Sequence, residues 1–240
     1  MLPAYLPVAY FIKKMIPLRD NIPHIRKPII TVSLLVTNIF VFFFQLSLGD
    51  SLNNFMYIYG FVPKNLFLPL YSDSLILRFR PLFTSMFLHA SPTHLIGNML
   101  FLWIFGDNVE DRLGHLSFLL FYISCGIVAS ITHLIMNINS SIPAVGASGA
   151  IAGILGAYMV MFPQSMILTL VPFFLFWRIV ELPAFIFIGI WFVYQFLLGI
   201  STIGYGGAGI AFWAHIGGFI AGILILRYFK KKRRYYYYSI

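Results

Sequence analysis

The chain has 240 residues, of which 60% are hydrophobic, 18% aromatic and only 10% charged. A soluble domain averages roughly 25% charged residues, so this balance excludes an ordinary water-soluble fold and leaves one integral membrane domain of about six spans. The formal net charge of +9 collects at the two ends, which suits the cytoplasmic side of a membrane better than nucleic-acid binding.

Residues 1–28 read as a cytoplasmic basic segment. Lys13, Lys14, Arg19, Arg26 and Lys27 are interspersed with prolines, and no small-residue cleavage site marks a signal peptide. The membrane domain runs over residues 29–228, with apolar runs at Ile29–Leu48, Pro92–Phe105, Leu116–Met136, Ala147–Phe162, Pro183–Leu198 and Gly209–Tyr228. Residues 229–240 form a basic, Tyr-rich cytoplasmic tail. The long connection Gly49–Ser91 is broken by Asn53, Asn54, Pro63, Pro69 and Asp73, and its apolar stretches suit an interface.

The second and fourth runs are short. Ala147–Phe162 as a helix is about 24 Å long against a hydrocarbon core of about 30 Å. A span that starts below the surface needs protein or water over its end, which puts Ser148 at the top of a recessed helix beneath a cavity. Ser165–Leu182 is apolar but carries Pro172, Arg178 and Glu181. Reading it as an interfacial connector gives six spans, both termini cytoplasmic, and 13 of the 16 Lys and Arg on one side. The Gly-, Ser- and Thr-rich stretch Gly199–Gly207 reads equally as a flexible cover or an ordinary connection. Cys125, the single cysteine, is a small apolar residue in a span.

A histidine in a span is a functional-site signal, and a serine one span away offers it a nucleophile to activate. His215 lies in Ala214-His215-Ile216-Gly217-Gly218, and Ser148 in Gly146-Ala147-Ser148-Gly149. His-Glu-x-x-His is absent, and the acids lie at span ends or in loops, so metalloprotease and aspartyl chemistries lack their residues. Beyond Gly114 the only acid is Glu181, which favours a dyad over a triad. Gly149, Gly153 and Ala157 repeat every fourth residue, as do Ala214, Gly218 and Gly222; such stripes let helices approach closely in lipid. They serve helix packing alone or packing that joins Ser148 to His215. His94 and Asn98 share one helix face, as oxyanion donors or as an interhelical clasp. His89 reads as a further donor or a surface residue, while His24, His115 and His133 read as structural or solvated.

Together, His94-x-x-x-Asn98, Gly146-Ala147-Ser148-Gly149 and Ala214-His215-x-x-Gly218-x-x-x-Gly222 resemble the rhomboid family of intramembrane serine proteases. Glu110-x-Arg112-x-Gly114 is similar to the family's loop signature, and Phe79-Arg80 to its Trp-Arg pair. The resemblance implies an all-α, six-helix polytopic bundle around a water-filled cavity, without metal or cofactor. It implies Ser148 as nucleophile and His215 as base, with Asn98, His94 and the Ser148 N–H as the oxyanion hole. Gly146 would let the substrate backbone approach, and Glu110 and Arg112 would tie the loop after the second span. The implied substrate is a transmembrane protein helix in a prokaryotic cytoplasmic membrane. Ala152 stands where the family often has Tyr or Phe against the histidine ring, so another side chain must hold His215. A non-catalytic binder of transmembrane helices and a solute transporter are the alternative functions; the first keeps no use for the dyad, and the second expects an internal repeat that is absent.

Overall fold

A computed structural model describes residues 15–23, 25–67, 75–173, 176–201 and 211–229. His24, Lys13, Lys14, Pro69, Asp73, most of the Gly199–Gly207 stretch and the basic, Tyr-rich tail lie outside them.

Six helices of 14 residues or more follow the apolar runs: α1 (Ile29–Ser47), α5 (Pro92–Leu113), α6 (His115–Met136), α7 (Ser148–Met161), α8 (Ala184–Ser201) and α9 (Phe212–Phe229). Between α1 and α5 the chain makes the short helices α2 (Leu52–Tyr59), α3 (Leu75–Phe79) and α4 (Pro81–Thr84). Four of the long helices, α1, α6, α8 and α9, are long and apolar enough to cross a membrane. α7 has 14 residues, about 21 Å at 1.5 Å each, and is buried continuously from Gly149 to Tyr158. A helix apolar on all sides belongs in the core, and α5, α6, α8 and α9 surround it.

The second helix is longer than its apolar run. It continues past Phe105 through Asp107, Glu110, Asp111 and Arg112 to Leu113, giving 22 residues. The charged turn ends one face of polar contacts, and the helix stops only where Gly114 adopts φ 82°, a conformation open to glycine. Glu110 and Arg112 therefore lie on the helix, not on the loop after it. Its start is set by Pro92 at the first turn and by Ser91, whose hydroxyl accepts from the His94 N–H at 3.2 Å.

The fold is not all-α. β1 (Ile16–Asp20), β2 (Met166–Phe173) and β3 (Phe176–Pro183) form an antiparallel sheet in the order β1-β2-β3. Ser165–Leu182, the connector between α7 and α8, is thus a β-hairpin, and part of the basic N-terminal segment is its third strand. Its alternation explains this: Ile167, Thr169 and Val171 are buried, while Met166, Leu168 and Leu170 are half-buried, the period of two that a strand imposes. Val171 pairs with Arg178 and Leu168 with Glu181, so the three residues that break an apolar helix sit in or opposite a ladder.

Polar anchors hold the sheet and α1 to the helices. The Asp20 carboxylate accepts from the Tyr158 hydroxyl of α7 and from Asn108 Nδ2 of α5 at 2.8 Å. Glu110, 1% exposed, accepts from the Ile30 N–H at 2.8 Å and from the Thr31 N–H and hydroxyl at 2.7 Å each. A carboxylate at a helix N-terminus satisfies amides that the helix itself leaves open. The His115 ring hydrogen-bonds the same carboxylate at 2.6 Å. Arg112 lies over the Phe162 ring, 5.1 Å from its centre.

Candidate active site

Glycine brings α7 and α9 together. A Cβ built on Gly218 would lie 2.0 Å from the Gly149 carbonyl oxygen, and one on Gly222 would lie 2.0 Å from that of Gly153. The two small-residue stripes are therefore in backbone contact, the close approach that glycines permit. At the top of this contact Ser148 opens α7 and His215 lies in the first turn of α9. Their side chains meet: His215 Nε2 is 2.8 Å from Ser148 Oγ. Helix packing and the serine–histidine contact, alternatives on the sequence alone, are one arrangement.

The segment leading into Ser148 is fixed by the region between α1 and α5. Phe61 and Ala144 exchange backbone hydrogen bonds at 2.9 and 2.8 Å, and the Gly146 N–H donates to the Ser85 carbonyl at 2.9 Å. Gly146 has φ 127°, and a Cβ there would come within 2.8 Å of the His94 ring. The backbone thus presses against His94, and Asn98 Nδ2 would be 3.5 Å from the same Cβ. Only glycine fits this position. The structure places His94 and Asn98 together beside the turn that delivers Ser148.

Asn98 is buried, and its Nδ2 lies 2.9 Å from His89 Nε2. An amide nitrogen only donates, so the His89 ring accepts and is neutral. Burial, reinforced by His94, pushes His89 down to about 4. His89 is 2% exposed and is therefore not a surface residue; it holds Asn98. A small cavity beside Ser148, with about 30 Å³ of room for water, is lined by Ser85, Gly126, Ser130, His133 and Gly146, among others. His133, read from the sequence as structural or solvated, belongs to this wall.

What holds His215 is the residue the sequence reading missed. His215 Nδ1 is 2.8 Å from Gln195 Oε1 on α8. One turn earlier on the same face, the Trp191 ring lies 6.0 Å from the His215 ring at 37°, and Phe212 meets it edge-on at 6.5 Å. Ala152 is fully buried and supplies only a methyl group. The signal for Gln195 was present: a lone amide in the apolar run of α8 is as conspicuous as a lone histidine.

No group of three or more His, Cys, Asp or Glu among the described residues is arranged to hold a metal ion. The described site is a serine, an imidazole and an amide in line, with a second amide and imidazole next to the turn before the serine. Hydroxyl activation by a neutral base is the chemistry such a set can do.

A family model of the rhomboid domain matches residues 77–232, and the chain belongs to the rhomboid family. With helices able to cross the bilayer, it is a multi-pass membrane protein. Rhomboid protein 1, mitochondrial, of Saccharomyces cerevisiae is 31% identical over 151 residues, 58% of this chain and 39% of that protein. The putative rhomboid protease YdcA of Bacillus subtilis is 39% identical over 88 residues, 36% of this chain and 44% of that protein. The rhomboid protease GluP of Bacillus subtilis is 44% identical over 78 residues, 32% of this chain and 15% of that protein. The chain spans less than half the length of each of these relatives.

Proposed function

We propose that this chain is an intramembrane serine endopeptidase that cleaves peptide bonds in or near the transmembrane helices of other membrane proteins. The observation that carries this reading is the 2.8 Å contact between Ser148 Oγ and His215 Nε2 at the N-terminus of a buried helix. In the proposed reaction Ser148 Oγ attacks the scissile carbonyl carbon as its proton passes to His215 Nε2. The C–N bond then breaks, and His215 returns the proton to the leaving amine. Water, deprotonated by the same nitrogen, hydrolyses the acyl–enzyme ester and restores Ser148.

The oxyanion formed on the way would receive hydrogen bonds from Asn98, the His94 ring and the Ser148 N–H. The positive end of the α7 dipole points the same way. Gly146 would leave room for the substrate backbone. We read residues 29–228 as six membrane-crossing helices, with the segments before and after them, and the β1–β3 sheet, on the cytoplasmic side. The site then faces the opposite leaflet, in a prokaryotic cytoplasmic membrane.

Fluorophosphonate labelling of the detergent-purified protein tests the reading. Labelling of wild type that vanishes in Ser148→Ala and His215→Ala is the expected result. A folded wild type that neither labels nor cleaves a transmembrane peptide would overturn it in favour of a helix-binding protein.

A further inference from the structure

The dyad described above has a third neighbour that is neither an acid nor an aromatic ring. His215 Nδ1 faces Gln195 Oε1 at 2.8 Å, and Gln195 is 8% exposed on a helix packed against α9. A carbonyl oxygen can only accept, so Nδ1 carries the hydrogen. A neutral imidazole has one hydrogen, so Nε2 is left with its lone pair directed at Ser148 Oγ. The geometry points to Gln195 as the positioning residue that fixes His215 in the tautomer able to act as base. This inference rests on the proteolytic reading for its consequence, but the tautomer is a property of the ring itself.

Chemistry favours an amide here. A carboxylate in this position would orient the ring equally well, but it would place a full negative charge deep in a low-dielectric bundle. An amide supplies the same acceptor as a dipole. When the ring takes up the serine proton, the Nδ1–H bond to Gln195 persists and strengthens as a charge-assisted bond. Trp191, one helical turn before Gln195, limits ring rotation from the same helix. The tilted ring contact and the hydrogen bond thus come from α8, not from α7, where Ala152 offers only a methyl group.

The test uses three forms of the full-length protein, wild type, Gln195→Leu and Gln195→Glu, each checked for folding by thermal melting. Histidine is labelled with ¹⁵N, and the His215 signals are assigned with His215→Asn. Wild type should show Nδ1–H with an unprotonated Nε2. Gln195→Leu, close in volume but without an acceptor, should populate the Nε2–H form. Its fluorophosphonate labelling rate should fall by about 10- to 100-fold, a part of what general-base catalysis contributes. Gln195→Glu, which retains the acceptor, should restore the Nδ1–H signature and most of the rate lost in Gln195→Leu.

An Nε2–H ring in wild type, or a folded Gln195→Leu with unchanged tautomer and labelling rate, overturns the inference. If wild type proves unreactive, the proteolytic reading fails by itself, and the ¹⁵N comparison of wild type with Gln195→Leu still decides whether Gln195 sets the ring. Should Gln195→Leu not fold, Gln195→Met, similar in length and without a strong acceptor, takes its place, and an unchanged tautomer in that folded variant overturns the assignment.

Discussion

Gly218→Ala should disable the site without touching a reactive group. The added Cβ would lie 2.0 Å from the Gly149 carbonyl oxygen, where an ordinary contact begins at about 3.4 Å. Both atoms sit on helix backbone, so neither can rotate aside, and α9 must withdraw from α7 by about 1.4 Å, the difference between those distances. Gly149 adjoins Ser148, and Gly218 is less than one turn from His215. The 2.8 Å contact would therefore stretch toward 4 Å, beyond hydrogen-bond reach. Overpacking of this kind costs about 1–3 kcal/mol of stability, and an ångström of misplacement about 10²-fold in rate. Gly189→Ala is the control, since a Cβ there meets nothing within 4 Å. It should be neutral or slightly stabilising, as expected for alanine replacing glycine within a helix. Thermal melting in detergent gives the first quantity and fluorophosphonate labelling kinetics the second. Wild-type melting and labelling in Gly218→Ala would refute the argument that glycine contact sets the dyad distance.

Three other perturbations discriminate among the site's parts. Asn98→Ala should raise the barrier for peptide hydrolysis by roughly 2–4 kcal/mol if the amide serves the oxyanion; an unfolded variant would show that it is a clasp instead. Glu110→Ala should lower thermal stability by about 3–5 kcal/mol, because it strips two N-terminal amides and the hydroxyl of Thr31 of a buried charged acceptor; a change under 1 kcal/mol would contradict that role. The third perturbation is pH. His89 is held neutral in the fold and ionises ordinarily near 6.5 when unfolded. Its contribution is therefore complete above pH 6.5 and is lost as pH falls toward 4. Melting temperature should drop across that window, and His89→Gln should flatten the drop; an equally steep drop in that variant would remove His89 as the cause.

The apolar runs located all six long helices, five of them within a few residues at both ends, because length and hydropathy mark an apolar helix more strongly than any local signal. The glycine stripes on α7 and α9 were equally legible, since a spacing of four puts residues on one face whatever the rest of the fold does. The end of α5 was not. Its last two turns are charged, and hydropathy stops at Phe105 while the helix goes on to Leu113 because Glu110 and Asp111 find backbone donors from Ile25 to Thr31. Such partners lie about 80 residues away and leave no mark on the local sequence. The hairpin was less legible for another reason: β2 is largely apolar on both faces, and pairing with β1 depends on residues 147 or more positions earlier in the chain, as in Asp20 opposite Ile167. Gln195 carried a signal of its own kind, but only His215 beside it shows what that signal means.

The capping of α1 by Glu110 also sets the limits of the folding unit. The family match begins at residue 77, whereas the amides that satisfy Glu110 belong to Ile30 and Thr31. A fragment cut at the edge of the recognised domain would keep the carboxylate and remove three of its four partners, uncovering a group that the intact chain buries. In the nascent chain the order is reversed: α1 enters the membrane with its first turn open and is closed only when the second long helix arrives. The bundle thus includes, through these contacts, a segment that lies outside the recognisable domain.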